Sequence, residues 1–200
     1  EVGTQKPNFI GCWDIENKKL CNEIVSFFEN NKELSKEGTT TLGKNIKAKK
    51  TTDITITPKD LEKSKFEIFK KYFKELHNCY MDYQKQWPFV KSIFNTIDIG
   101  VFNIQKYNPG DHFSHLHCER TSLNSLHRLF AFMTYLNDVE DGGKTNFDYY
   151  GIKVKPEIGK TLIWPAEWTH AHTGEVLKSG TKYIVTGWLH FPVKETKEHE

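Results

Sequence analysis

The densest chemistry in the chain lies in Tyr107 to Arg120, YNPGDHFSHLHCER, where three histidines precede a glutamate. His117 and Glu119 are separated by one residue, so in an extended segment their side chains leave the backbone on the same face. Two adjacent donors on one face can grip one metal ion with little distortion of the chain. A single His-x-Glu is common by chance, but a second cluster, Thr169-His170-Ala171-His172, follows the apolar run TLIW and a turn containing Pro165. A His-x-carboxylate pair with a distant histidine is a two-histidine, one-carboxylate donor set, which leaves coordination positions open and suits non-haem Fe(II). Residue types alone do not separate iron from zinc, which is more often held by three protein ligands with one open position. Copper favours a further imidazole, which His115 or His170 would supply.

The elements that must position these groups fall into two textures. From Asn17 to Asn31, Leu20, Ile24 and Phe27 or Phe28 recur at helical spacing and predict a short amphipathic helix. The polar stretch Lys32 to Lys50 reads as a loop, and Thr51 to Thr57, TTDITIT, as a strand ending at Pro58. Pro58 is expected to open the longest helix, running to about Gln84, whose Phe66, Phe69, Tyr72 or Phe73, Leu76 and Tyr80 pack against a sheet. After Trp87-Pro88 come short aromatic and β-branched segments: Ile97 to Lys106, Arg128 to Leu136, Thr145 to Tyr149, Ile152 to Val154, Thr161 to Trp164 and Lys182 to His190. Seven of the nine histidines fall between His112 and His190, within these strands and their connections. Closely spaced short strands predict an all-β sandwich or barrel decorated by N-terminal helices. The pattern argues against a doubly wound α/β domain, because no helix of about 10 or more residues separates these strands and no glycine-rich dinucleotide loop follows one. The reading is one domain over 1–200, with 1–90 as helical support and 91–193 as the β core.

Composition narrows the partners. The formal charge of +2 and only two arginines, Arg120 and Arg128, describe a solvated lysine surface and argue against nucleic acid. The run Lys44 to Lys50 retains enough charge to touch an anionic partner. No apolar run reaches the roughly 18 residues of a membrane span. Four scattered cysteines without metal-finger spacing point to a reduced, cytoplasmic setting. The first residue is not Met, so the lack of a basic-then-apolar leader argues little about targeting.

From about Ile97 to His190 the chain resembles the 2-oxoglutarate- and Fe(II)-dependent dioxygenases, nearest to the prolyl 4-hydroxylase-like branch. Tyr107, Gly110 and Phe113 resemble the residues that precede that family's metal motif, and His117-Cys118-Glu119 matches its histidine-x-acid. Tyr135-Leu136-Asn137 and Asp141 through Phe147 resemble its strand, turn and double glycine. Gly159 through Pro165, GKTLIWP, resembles the strand before the distal histidine, which His172 matches, and Lys182 ten residues later matches its basic partner. The same spacing selects His172 over His170 and His117 over His115. Two departures stand out: the acid is Glu119 where the family more often has Asp, and the motif lies one residue further from Tyr107.

The resemblance implies a double-stranded β-helix (jelly-roll, cupin-like) core, mainly β with N-terminal helices. It further implies His117, Glu119 and His172 as iron ligands and Lys182 as the cation for the far carboxylate of 2-oxoglutarate. Tyr107 would donate its phenol to that carboxylate, and Thr145 and Arg128 would line the pocket. With Fe(II), 2-oxoglutarate and O2, the implied reaction hydroxylates an unactivated C–H bond. Peptidyl proline is the leading substrate, beside other peptide or protein side chains, free amino acids and small molecules. Retention of a carboxylate ligand favours hydroxylation over halogenation. The competing readings are a zinc-dependent hydrolase and a non-enzymatic cupin-like binding module. His127 and His190 are expected as hydrogen-bonded packing residues, His112 and His115 as supports for Glu119 or the turn, and Trp188 as a pocket wall. Gly142-Gly143 is expected as a turn needing backbone freedom, and Asp53 with nearby lysines as substrate-side groups. The oligomeric state is left open.

Overall fold

The computed structural model describes residues 7–39, 43, 45–94 and 96–192; Lys44 of the basic run lies outside them. The elements in chain order are β1 (Gly11–Asp14), α1 (Lys18–Asn30), β2 (Lys36–Glu37), β3 (Thr52–Ile56), α2 (Glu67–Gln86), α3 (Pro88–Ile93) and β4 (Asp98–Tyr107). They continue with β5 (Phe113–His117), β6 (Arg128–Tyr135), β7 (Thr145–Phe147), β8 (Ile152–Val154), β9 (Lys160–Pro165), β10 (His172–Gly174) and β11 (Lys182–His190). A seven-stranded sheet has the order β1-β9-β6-β11-β4-β3-β2, and a four-stranded sheet the order β5-β10-β7-β8. Side chains of both sheets meet in an inner core that includes Tyr107, Ala131, Tyr135, Phe147, Trp164 and Ile184. The chain is thus mainly β with helices on one side, and the two-sheet core is of the jelly-roll type.

The period of two along each strand divides the large sheet between two tasks. Phe102, Ile104, Phe130, Phe132, Val185 and Leu189 face outward and join Phe69, Tyr72, Leu76 and Tyr80 of α2 in one buried cluster. The intervening residues, Gln105, Tyr107, Met133, Lys182, Ile184 and Trp188, face a cavity between the sheets. The helices therefore keep one face of the sheet dry, leaving the other face to carry polar chemistry.

Asn17 caps α1, its side chain accepting from the Leu20 N–H at 3.1 Å, which stabilises such a helix by about 1 kcal/mol. The long helix differs from the sequence expectation. Residues Pro58–Glu62 and Ser64–Phe66 form two 3-10 turns, and α2 begins only at Glu67. Asp60 accepts from both the N–H and the hydroxyl of Thr57 and closes the first turn on itself. Lys63 is then extended, at φ −86 and ψ 138. The apolar rows needed to dock a helix start only at Phe66, so nothing holds 58–65 in α form.

The N-terminal stretch, expected as helical support, also supplies β1, β2 and β3 to the large sheet. The expected loop Lys32 to Lys50 contains β2 and a 3-10 turn at Lys32–Leu34. The expected strand Thr145 to Tyr149 stops at Phe147, where a further 3-10 turn, Asp148–Tyr150, follows. Gly142 and Gly143 have φ of 78° and 68°, the left-handed turn that the double glycine predicts. All four cysteines are free thiols.

Candidate active site

The small sheet brings the two histidines together. β5 and β10 are antiparallel, with His117 directly opposite His172, and the ring centroids lie 4.3 Å apart. Glu119 follows β5 immediately, and its Oε1 is 3.4 Å from Nε2 of His172 and 3.8 Å from Nε2 of His117. One donor atom from each of His117, Glu119 and His172 falls within 4.8 Å of the others. The donors are thus sequence-distant but sheet neighbours, held by backbone pairing rather than by side-chain chance.

Backbone carbonyls orient both imidazoles. His117 Nδ1 lies 2.8 Å from the His115 carbonyl oxygen and His172 Nδ1 lies 3.0 Å from that of His170. A carbonyl only accepts, so each Nδ1 carries a proton, and each Nε2 is turned toward Glu119. Two imidazole nitrogens and a carboxylate oxygen thus converge on one point, where a shared proton or a metal ion holds them together. The donor set therefore fits a divalent metal, gripped on one side with positions left open.

Burial and the neighbouring His172 lower the His117 pKa to about 4, against the opposing pull of Glu119. Burial by itself raises the Glu119 pKa, but the hydrogen bond and charge of His172, the charge of His117 and the Trp188 indole outweigh it and hold the carboxyl at about 2. Phe113 stacks on the His117 ring at 3.7 Å, and Trp164 meets His172 edge-on at 5.0 Å, so neither ring is free to turn.

Lys182 opens β11 opposite Tyr107 of β4. Only 2% exposed, its ammonium donates to the Gly143 carbonyl at 2.9 Å and sits 4.0 Å from the centre of the Tyr107 ring. Burial pulls its pKa down to about 7, and the more distant Glu175 carboxylate offsets this only partly. Among the described residues no carboxylate lies within ion-pairing distance of it. A buried ammonium satisfied by one carbonyl and one ring has capacity left for an anion.

Tyr107 lies under Lys182, but its hydroxyl donates to Gln105 Oε1 at 2.8 Å, so in this structure the phenol proton is committed within the chain. Thr145 accepts from the Tyr135 hydroxyl at 2.6 Å; its own proton, which otherwise reaches only the Met133 sulfur at 3.7 Å, faces the cavity. Arg128 makes no structural ion pair among the described residues. Its guanidinium stacks 3.6 Å over Trp188 and donates to the Glu119 carbonyl at 2.9 Å. Trp188 is more than the wall its sequence position suggests, because its indole N–H donates to Glu119 Oε2 at 2.6 Å.

All seven sequence-predicted site residues line one cavity of ≈ 1070 Å³. Others stand differently from expectation. His115 lines the cavity and supports His117 through its carbonyl rather than Glu119, and His112 meets Ser114 at 2.9 Å in the turn. His127 and His190 pack edge to face at 4.4 Å as the packing residues expected, but Nε2 of His190 is buried without the hydrogen bond expected of it. The ring of His190 fills the space left by Gly100, where an added Cβ would fall 2.0 Å from it. Asp53 is held within a buried network: Lys49 at 2.7 Å, Thr51 at 2.7 Å and Gln105 at 3.1 Å all donate to it. That network joins the cavity wall to Tyr107, a link between β3 and β4 that no local sequence pattern carries.

The model of the 2OG-Fe(II) oxygenase superfamily matches residues 102–190. Prolyl 4-hydroxylase subunit alpha-2 of Gallus gallus is 27% identical over 92 residues, covering 42% of this chain and 17% of the relative. The chain spans less than half the length of the curated relatives it matches. Among solved structures, the viral collagen prolyl hydroxylase of Paramecium bursaria chlorella virus-1, in complex with 2OG, aligns over 95% of this chain and 100% of its own, with TM-score 0.67 and 16% identity. The prolyl hydroxylase of Trichoplax adhaerens, in complex with a hypoxia inducible factor peptide fragment, aligns over 92% and 84%, with TM-score 0.70 and 13% identity. At these identities the structural matches establish the fold.

Proposed function

Since the chain belongs to the 2OG-Fe(II) oxygenase superfamily, in its prolyl 4-hydroxylase-like branch, we propose that it hydroxylates an unactivated C–H bond of a peptide, a prolyl residue first among the candidates. The family's cofactors are Fe(II), 2-oxoglutarate and O2. When bound, iron and 2-oxoglutarate supply the oxidising power, the co-substrate leaving as succinate and carbon dioxide.

In this reading His117, Glu119 and His172 hold the metal. Their Nδ1–carbonyl bonds fix both rings with Nε2 aimed at the metal position, as the second ring nitrogen of a metal-bound histidine usually does. Lys182 anchors the far carboxylate of 2-oxoglutarate, and Thr145 turns its hydroxyl proton to the same anion. Tyr107 supports the ammonium from below with its ring. The aromatic walls Phe113, Trp164 and Phe147 keep bulk water from the inner end. At the mouth, the exposed rings of Tyr149 and Trp168 stand 6.5 Å apart, edge to face, and offer an apolar lip for a peptide.

One observation carries the assignment. A facial set of two imidazoles and a carboxylate shares one cavity with a buried lysine that, among the described residues, has no carboxylate partner. A zinc hydrolase gives Lys182 nothing to do, and a binding module leaves the three converging donors unexplained. The peptide reading draws on the prolyl hydroxylase relatives and on the structural neighbour that holds a peptide fragment. The test is anaerobic addition of Fe(II) and 2-oxoglutarate to metal-free protein. A visible charge-transfer band, lost in His172→Ala and weakened in Lys182→Ala, is expected. Succinate release stimulated by proline-containing peptides and not by free proline then supports the substrate class. Iron binding without any band overturns the co-substrate role.

A further inference from the structure

We infer that Trp188 is a positioning residue for the metal centre, holding one oxygen of Glu119 so that the other faces the two histidines. The inference rests on the reading of His117, Glu119 and His172 as ligands. It starts from the departure noted in the sequence, a glutamate where the family more often has aspartate. The longer side chain has one more rotatable bond, and a ligand free to swing must be ordered each time metal binds. The structure removes that freedom. Oε2 accepts the Trp188 indole N–H at 2.6 Å, while Oε1 is the oxygen 3.4 Å from His172 and 3.8 Å from His117. The two oxygens of one carboxylate thus have separate tasks.

Trp188 is itself fixed. It lies on β11 opposite Ala131 of β6, and the Arg128 guanidinium covers its ring at 3.6 Å while donating to the Glu119 carbonyl at 2.9 Å. Arg128 therefore clasps the backbone of Glu119 and the ring that holds its side chain, closing a loop of contacts among three residues. An aspartate at 119 would withdraw the carboxylate by one C–C bond, about 1.5 Å. It would then lose either the indole or the histidines. Glu119 and Trp188 are matched to each other.

The experiment is anaerobic titration of the metal-free protein with Fe(II) alone, comparing the unaltered chain with Trp188→Phe, Glu119→Asp, the double variant and His172→Ala. Phenylalanine keeps an aromatic face for Arg128 and removes only the N–H donor. Trp188→Phe is expected to weaken Fe(II) binding about 10- to 100-fold, the usual effect of losing a partner of a metal ligand. Glu119→Asp is expected to cost less in the Trp188→Phe background than alone, because both changes break the same contact. Unchanged affinity in Trp188→Phe, or penalties that simply multiply, overturns the inference. His172→Ala separates the two levels: if it binds Fe(II) like the unaltered chain, the ligand reading itself fails. A second measurement does not depend on a Trp188 variant folding. Of the five indole N–H signals expected from five tryptophans, one is displaced downfield by the carboxylate and moves back in Glu119→Gln. No indole signal responding to that change also overturns the inference.

Discussion

Replacing Lys182 by methionine separates stability from function in one residue. The ammonium is almost wholly buried, and burial takes its pKa from 10.5 to about 7. At ~1.4 kcal/mol for each tenfold change in proton affinity, holding that charge in the ligand-free site costs on the order of 5 kcal/mol. The sign follows from linkage. Between about pH 7 and 10.5 the unfolded chain binds the proton that the folded chain has released, so stability rises with pH across that window. Below pH 7 both states are protonated and the full penalty is present. Lys182→Met removes it, and also the bond to the Gly143 carbonyl, which returns about 1 kcal/mol of loss. The ligand-free variant is therefore expected to melt several degrees above the parent at pH 6.5, and the difference is expected to shrink toward pH 10. Adding 2-oxoglutarate with a redox-inert divalent metal should reverse the order, raising the melting temperature of the parent and leaving the variant nearly unmoved. Thermal melts from pH 6 to 10, with and without the ligand, read both effects. A variant no more stable than its parent at pH 6.5, or one stabilised equally by 2-oxoglutarate, refutes the account of Lys182 as a cation kept waiting for an anion.

Other consequences are as direct. Lys49→Met leaves Asp53 buried beside Thr51 and Gln105 without its cation; urea unfolding is expected to show a loss of about 3–5 kcal/mol, while Lys70→Met, which breaks a pair with Glu67 exposed on both sides, loses under about 1 kcal/mol. Gly142→Ala forces a Cβ at φ 78°, 2.3 Å from the Val176 carbonyl oxygen, and should cost about 2–3 kcal/mol by thermal melting, with the Gly143 carbonyl displaced from Lys182. Burial holds His117 at about 4 and His190 at about 4. The unfolded chain takes up those protons first as pH falls below 6.5, so the metal-free protein should lose stability between pH 6.5 and 4, and His190→Phe should flatten that slope.

What the sequence disclosed depended on the range over which its signals act. His117 and Glu119 are two residues apart and were legible as a pair because a strand alternates its faces. The strands β4, β6, β9 and β11 were legible because their outward residues are aromatic or β-branched and their length carries a period. β1, β5 and β10 lack the isoleucine and valine that marked the equally short β3 and β8, and exist because of the partners they pair with. The 58–65 segment misled because proline opens a 3-10 turn as readily as an α-helix, and the decisive bond is the local one between Thr57 and Asp60. The Trp188–Glu119 bond joins residues 69 apart in the chain, and the Lys49–Asp53 pair is buried only because the sheet folds over it. Neither is written in any local spacing.

β5 stands at the end of the small sheet, where unpaired backbone would invite another chain. That edge is spoken for: the His115 N–H bonds to the Ala48 carbonyl at 3.2 Å, and Lys50 and His112 exchange bonds at 2.8 and 3.1 Å. The segment that lines the cavity through Asn45, Ala48 and Lys49 thus doubles as a guard against aggregation. Nicking the chain near Asn45 would free a strand edge flanked by Phe113 and Leu116 and open it to pairing with another chain.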